Sequence, residues 1–162
     1  MISLTLSSTL RENHDEIIQR WLENIHGRTA EDYEQVLRTP MGHAVATNLL
    51  NYAVELMGAE EYQESELLHR ARDAARDASF RRAAVGFCLP DIITTAMALR
   101  SAMQETLLNH VTPGDSVDEQ TIVEGLLAIN RLGDAIVSGE IAGYFAYHEY
   151  TDKEENRRNH MV

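Results

Sequence analysis

Apolar positions recur at three- and four-residue spacing almost from end to end of this chain, and that period predicts helices throughout. Leu10, His14, Ile17, Ile18, Trp21, Leu22 and Ile25 mark a first amphipathic helix. Ser7 or Ser8 stands ready to cap its start, and Gly27 follows its last apolar residue. A short second element carries Tyr33, Val36 and Leu37 behind Thr29-Ala30-Glu31-Asp32, which looks like a cap, and Pro40 then interrupts. Val45, Leu49, Tyr52, Ala53 and Leu56 predict a third helix ending near Gly58.

From Glu60 to Arg82 the chain is polar on most sides, with Leu67, Leu68, Ala71, Ala74, Ala75 and Ala78 as a narrow stripe. Residues that small let a neighbouring helix come close. After Gly86 the run Cys88-Leu89-Pro90-Asp91 restarts the chain. Proline is tolerated in a first helical turn, and Asp91 suits the positive end of the helix dipole. Ile92, Ala96, Leu99, Met103 and Leu107 carry that helix to about His110, and Thr112-Pro113-Gly114-Asp115-Ser116 spells a loop. A last helix begins near Val117 and runs through Ile122, Leu126, Ile129, Leu132, Ile136, Gly143, Tyr144 and Tyr147. Beyond Tyr150 the chain is charged and lacks apolar anchors. The expected organisation is a helical domain over 1–150 followed by a charged tail or linker over 151–162. Only Ile2–Leu6 offers a short β-type run, so the predicted class is all-α: one domain of five to six helices with a long C-terminal helix.

Composition adds exclusions. A chain of 162 residues, 44% of them apolar, suits one domain whose core needs no disulfide or structural metal. Cys88 is the sole cysteine, which rules out an internal disulfide framework or a CxxC site. Fourteen basic residues stand against 26 acidic ones, a net charge of −12. A phosphate-backbone binder needs a basic face, so nucleic acid and anionic membrane are poor partners. No run approaches the ~18 apolar residues of a membrane span, and Met1-Ile2-Ser3-Leu4-Thr5-Leu6 lacks the basic start of a secretory signal. The expected location is cytoplasmic.

Three segments carry a family likeness. They are Glu12-Asn13-His14-Asp15-Glu16-Ile17-Ile18-Gln19-Arg20-Trp21-Leu22; Arg81-Arg82-Ala83-Ala84-Val85-Gly86-Phe87-Cys88-Leu89-Pro90-Asp91-Ile92; and Ile129-Asn130-Arg131-Leu132-Gly133-Asp134-Ala135-Ile136, which leads towards Tyr144 and Tyr147. In that order, over roughly residues 8–150, they resemble the N-terminal sensor domain of RsbR/RsbRD-type stressosome regulators, a module that also precedes bacterial histidine kinases. The motifs concern helix starts and close contacts, not catalysis, and Cys88 stands where the family usually has a small hydroxyl residue. The resemblance implies a globin-like helical module without haem, dimeric and non-enzymatic. Such a module passes a signal through its last helix to an effector, a kinase, STAS-type or other signalling domain in cis or in trans.

Glu23…His26 and Glu66…His69 repeat the Glu-x-x-His spacing that supplies di-iron centres in helical bundles, with Glu55 and Glu105 able to complete a set. That makes a ferritin-like metal-carboxylate protein the alternative reading, although two such spacings are unremarkable in a chain with seven His and 26 acidic residues. His14, His43, His69 and His110 are the histidines considered as haem ligands, and each reads more simply as a boundary residue. Cys88 has no base beside it in sequence. No phosphate loop, Gly-x-Ser-x-Gly or His-Glu-x-x-His is present. No enzyme activity and no cofactor are expected.

Two sites remain as candidates. Trp21, with His14, Ile17, Leu49, Leu99 and Met103, either packs as core or lines a pocket for a small apolar ligand. Gly139 and Gly143, one turn apart in the last helix, either admit the Ala-rich fourth helix or form a homodimer seam beside Ile136, Tyr144 and Tyr147. Glycine is unfavourable by ~1 kcal/mol against alanine inside a helix, so either use asks something of that spacing.

Overall fold

Ser3 accepts a hydrogen bond from the Leu6 amide (3.1 Å) and so starts α1, Leu4–Glu12, earlier than the periodicity suggests. The computed structural model of the chain describes residues 1–114 and 116–161; Asp115 of the predicted loop and Val162 of the predicted tail lie outside the described residues. The Ile2–Leu6 run is therefore helical from Leu4 on, because Leu6 and Leu10, four apart, both bury on one side of α1. Ser7 is no cap: its hydroxyl donates to the Val54 carbonyl (2.8 Å) inside a helix–helix contact.

The chain bends at Asn13, whose side-chain amide donates to the Thr9 carbonyl (2.8 Å), and α2, His14–Ile25, follows. One predicted helix is thus two, which raises the count from the expected five or six to seven among the described residues. α3, Glu31–Leu37, has no capping side chain of its own; the Asp91 carboxylate accepts from the Ala30 amide (3.3 Å) instead. Pro40 opens α4, Pro40–Gly58, with Thr39 accepting from the Gly42 amide (3.3 Å). What reads as an interruption is a start, since proline lacks only an amide that a first turn leaves unpaired anyway.

Glu60 and Gln63 form a reciprocal capping box at the head of α5, Glu61–Ala84. α6, Leu89–His110, begins at Cys88 and carries Pro90 in its first turn. The Asp118 carboxylate accepts from the Thr121 amide (2.7 Å) to start α7, and that hydrogen bond holds its carboxyl below the usual range. α7 spans Glu119–His160, 42 residues or about 63 Å. The stretch from Thr151 expected as tail or linker is a continuation of this helix, laced by Glu149–Lys153 (2.9 Å) and Glu154–Arg157 (3.2 Å) pairs. Among the described residues no helix is long and apolar enough to cross a membrane.

Side-chain partners give the directions. α1 lies antiparallel to α4 (Ser3 against Met57, Ser7 against Val54), and α4 antiparallel to α5 (Glu55 and Tyr52 against Arg70). α2 and α6 are antiparallel, joined by Glu16 to His110, Arg20 to Glu105 and the Trp21 indole N–H to the Thr95 carbonyl (3.1 Å). α5 and α7 instead run parallel. Glu64 pairs with Arg131 across 67 positions, and the same offset joins Arg72 to Gly139, Arg76 to Gly143 and Phe80 to Tyr147.

That parallel pair packs backbone to backbone. A methyl on Gly139 would strike the Arg72 carbonyl, and one on Gly143 the Arg76 carbonyl. On α5 the facing positions Ala71, Ala75, Ser79 and Ala83 are small and buried. Ser79 fixes the register by donating its hydroxyl to the Glu140 carbonyl (2.6 Å), both residues being buried. Propensity alone makes Gly→Ala stabilising by ~1 kcal/mol inside a helix. At Gly143 the sign reverses: Gly143→Ala should lower the unfolding free energy by ~1–3 kcal/mol in chemical denaturation. Gly58→Ala, whose methyl meets nothing nearer than 3.6 Å, should show no loss. Equal stability of Gly143→Ala and the parent would refute the close crossing.

Candidate functional site

The helix stripe of α7 contains one residue of the wrong chemistry. Ile136 and Gly143 are buried on either side of Glu140, and Glu140 is buried with them at 3% exposure. Its Oε2 has no hydrogen-bond partner. Burial pushes the carboxyl up to about 8, against the opposing pull of the Arg82 guanidinium, so near neutral pH this residue is a neutral acid. Arg82 lines the same cavity as Glu140, and no hydrogen bond joins its guanidinium to that carboxyl.

Glu140 lines a half-open cavity of about 250 Å³ between α4, α5 and α7. Val45 and Leu49 of α4 and Ala74 and Ala78 of α5 supply apolar wall, while Arg81, Arg82 and Asp77 of α5 and Asn48 of α4 supply the polar part. Arg82 also lies 6.0 Å from the centre of the Tyr33 ring, which packs on Phe87 at 4.7 Å. Burial raises the Tyr33 hydroxyl, with the Arg82 charge opposing it. α3, α4, α5 and α7 thus meet around one arginine. A larger groove of about 580 Å³ between α1, α4 and α5 differs in kind: charged residues such as Glu55 and Arg70 line it and pair with each other (3.9 Å).

The residues singled out from sequence fall in different places. Ile17, Trp21, Leu99 and Met103 are fully packed core, and the Trp21 indole is satisfied by Thr95. His14 is half-buried and pairs with Thr47 (2.9 Å). Leu49 alone of that set lines the Glu140 cavity, so the single Trp21 pocket gives way to a solid core at one place and a cavity at another. Ile136, Gly139 and Gly143 are buried within the protomer, the two glycines against α5, so the small-residue pair admits the Ala-rich helix and offers no outer face for a dimer seam. Tyr144 and Tyr147 are half-buried, and Tyr147 packs edge-on against Phe80 at 5.5 Å.

The metal alternative fails on geometry. Glu23 and His26 are exposed at the end of α2, where His26 Nδ1 meets Glu34 (2.8 Å); Glu66 and His69 are exposed on α5, where His69 faces Asp73 (3.9 Å). Among the described residues no three His, Cys, Asp or Glu side chains converge as ligands, and Glu55 and Glu105 are each engaged by arginines. The Glu-x-x-His spacing puts both members on one face, but in each helix that face is turned to solvent.

One comparison with known proteins decides the family: the RsbT co-antagonist protein rsbRD N-terminal domain matches residues 15–159. The chain belongs to that family. No curated protein and no solved structure matches it. The rsbRD N-terminal family is regulatory in character, and this domain is accordingly a stress-signalling module. The match begins within α2 and ends within the charged extension of α7, so the extension belongs to the family's own span.

Sequence reasoning passed over Glu140 and Arg82. The signal was available: a glutamate one turn after Ile136 and one turn before Tyr144 interrupts an otherwise apolar stripe. The sign of its effect follows from linkage. A carboxyl raised in the folded state binds a proton more tightly there, so stability falls as pH rises from its unfolded value near 4.5 to about 8 and is flat above. Glu140→Gln removes that slope. Its stability relative to the parent should grow by up to about 4 kcal/mol between pH 4.5 and 8.5 in urea titrations. A difference that does not change with pH would show that Glu140 titrates as an exposed residue.

Proposed function

We propose that this chain is the sensory half of a cytoplasmic, dimeric stress-signalling regulator. A ligand or partner engages its helical body, and α7 relays the change to an effector, a kinase, STAS-type or other signalling domain in cis or in trans. The observation that carries this reading is the course of α7. Its first part is held by the glycine crossing, and its second part continues as a mostly exposed, charged helix past the Phe80–Tyr150 contact. A helix built that way joins the interior of the body to whatever meets its end.

The outward face of α7 supports the dimer. Ile141 and Phe145 are exposed there at 38% and 60%, and Met97 of α6 and half-buried Val137 adjoin Ile141. Such a patch, repeated on a second copy, meets itself across a two-fold axis. It lies on the side of α7 turned away from Gly139 and Gly143, so the seam uses the same helix but a different face. The acidic surface, at −12 overall, leaves nucleic acid and anionic membrane as unsuitable partners. The family is regulatory, which favours a binding and relay role over a catalytic one.

Sedimentation equilibrium tests the dimer. The parent chain should self-associate, and Ile141→Lys with Phe145→Glu should weaken association at least tenfold while far-UV circular dichroism stays unchanged, because both side chains are exposed. A parent that is monomeric throughout, or a double variant that associates as before, would remove this face from the reading.

A further inference from the structure

The cavity over Glu140 is lined by a buried carboxyl whose Oε2 meets no hydrogen-bond partner. Glu140 is 3% exposed, its Oε2 is unpartnered, and as a neutral acid it carries an O–H. Arg82 brings guanidinium N–H groups into the same space without bonding to Glu140. Two arginines, Arg81 and Arg82, stand against one aspartate, Asp77, so by formal charge the lining is one positive in excess. α4 brings only uncharged groups to the lining, and Tyr33 of α3 has its hydroxyl pushed up and is neutral. The remaining wall is aliphatic. At about 250 Å³ the space is below the ~300–1,000 Å³ of drug-sized sites.

We infer that this cavity binds a small aliphatic carboxylate, its head group received jointly by Arg82 and Glu140 and its alkyl chain lying along Leu49 and Ala78. The head group supplies acceptors to both donors and cancels the excess charge. An amine would face two guanidiniums, with the exposed Asp77 carboxylate as its only anionic partner in the lining. A neutral alcohol would leave the charge unbalanced. The bound carboxylate needs Glu140 protonated, so above pH 8 binding must take up a proton and weaken. The site sits where α4 and α5 meet α7, one residue from the glycine crossing. Its signalling consequence rests on the relay proposed above; its occupancy does not.

Calorimetric titration of the full 162-residue chain with hexanoate and, in parallel, hexylamine tests the assignment. Hexanoate should bind at pH 7 and at least threefold more weakly at pH 9, with proton uptake seen as a buffer-dependent heat; hexylamine should not bind. Arg82→Met should weaken hexanoate at least tenfold, and Ala78→Leu should block it by filling the chain's place. Glu140→Gln, which keeps an N–H donor, should bind with no pH dependence and no proton uptake. Melting curves identify any variant that fails to fold, and Ala78→Leu then stands as the test free of charge changes. No hexanoate binding by the folded parent, tighter binding of hexylamine, or hexanoate binding untouched by Ala78→Leu and Arg82→Met would each overturn the assignment. A spin label at Lys153 reads the relay separately: hexanoate that binds without altering that label's environment would refute the relay and leave the site.

Discussion

Everything distinctive about this domain follows from the distance between α5 and α7 at Gly139 and Gly143. With the Arg72 and Arg76 carbonyls where those glycines' side chains would be, the two helices cross backbone to backbone. Residues four apart on each helix meet there, Ala71, Ala75 and Ser79 on one side and Gly139 and Gly143 on the other, so i±4 ridges of both helices interlock. Close approach leaves little room for slippage, and the Ser79 hydroxyl on the Glu140 carbonyl pins the register. Parallel α5 and α7 require the chain to return between them, which is what α6 does. α6 in turn presents the face on which α2 and its tryptophan lie.

Glu140 is the exception that this tight crossing makes possible. Placed between two residues that must be small, it is buried where α7 meets α5, and α4 forms the other wall of the cavity it lines. A buried carboxyl without a partner lowers stability, and α7 retains it in the middle of the helix's best-packed turn. A methionine or leucine there would remove the unmet polar group. Its presence beside Arg82, and the weakened acidity that burial imposes, single it out among the buried side chains of α7.

How far the sequence could be read depended on what each feature required. Helix existence and class followed from the spacing of Ile17, Trp21, Leu49, Leu99, Leu132 and their like, because a 3.6-residue period is a property of neighbouring residues. The family likeness followed too, since Arg81–Ile92 and Ile129–Ile136 are contiguous strings. Boundaries went less well: Asn13 breaks a helix through one side-chain bond to Thr9, and Pro40 begins one where it seemed to stop one. The site was the hardest part. The periodicity that placed Ile136, Gly139 and Gly143 together on α7 was right, but only tertiary contacts say that α5, rather than a second copy, covers them. Trp21 and Leu49 share an apolar character and nothing else, and no local pattern reveals that one is sealed in the core while the other borders a void. The paired Glu-x-x-His motifs had correct spacing on helix faces that look outward, a matter of rotation that spacing leaves open.

The extension of α7 beyond Gly143 has a mechanical meaning. Beyond Tyr150, its last aromatic contact with Phe80, the helix runs uninterrupted to His160, an arm of about 15 Å. A tilt of about 10° at its base would sweep the tip through roughly 3 Å. Under the proposed relay, a small rearrangement around Glu140 would thus be enlarged at the far end of α7.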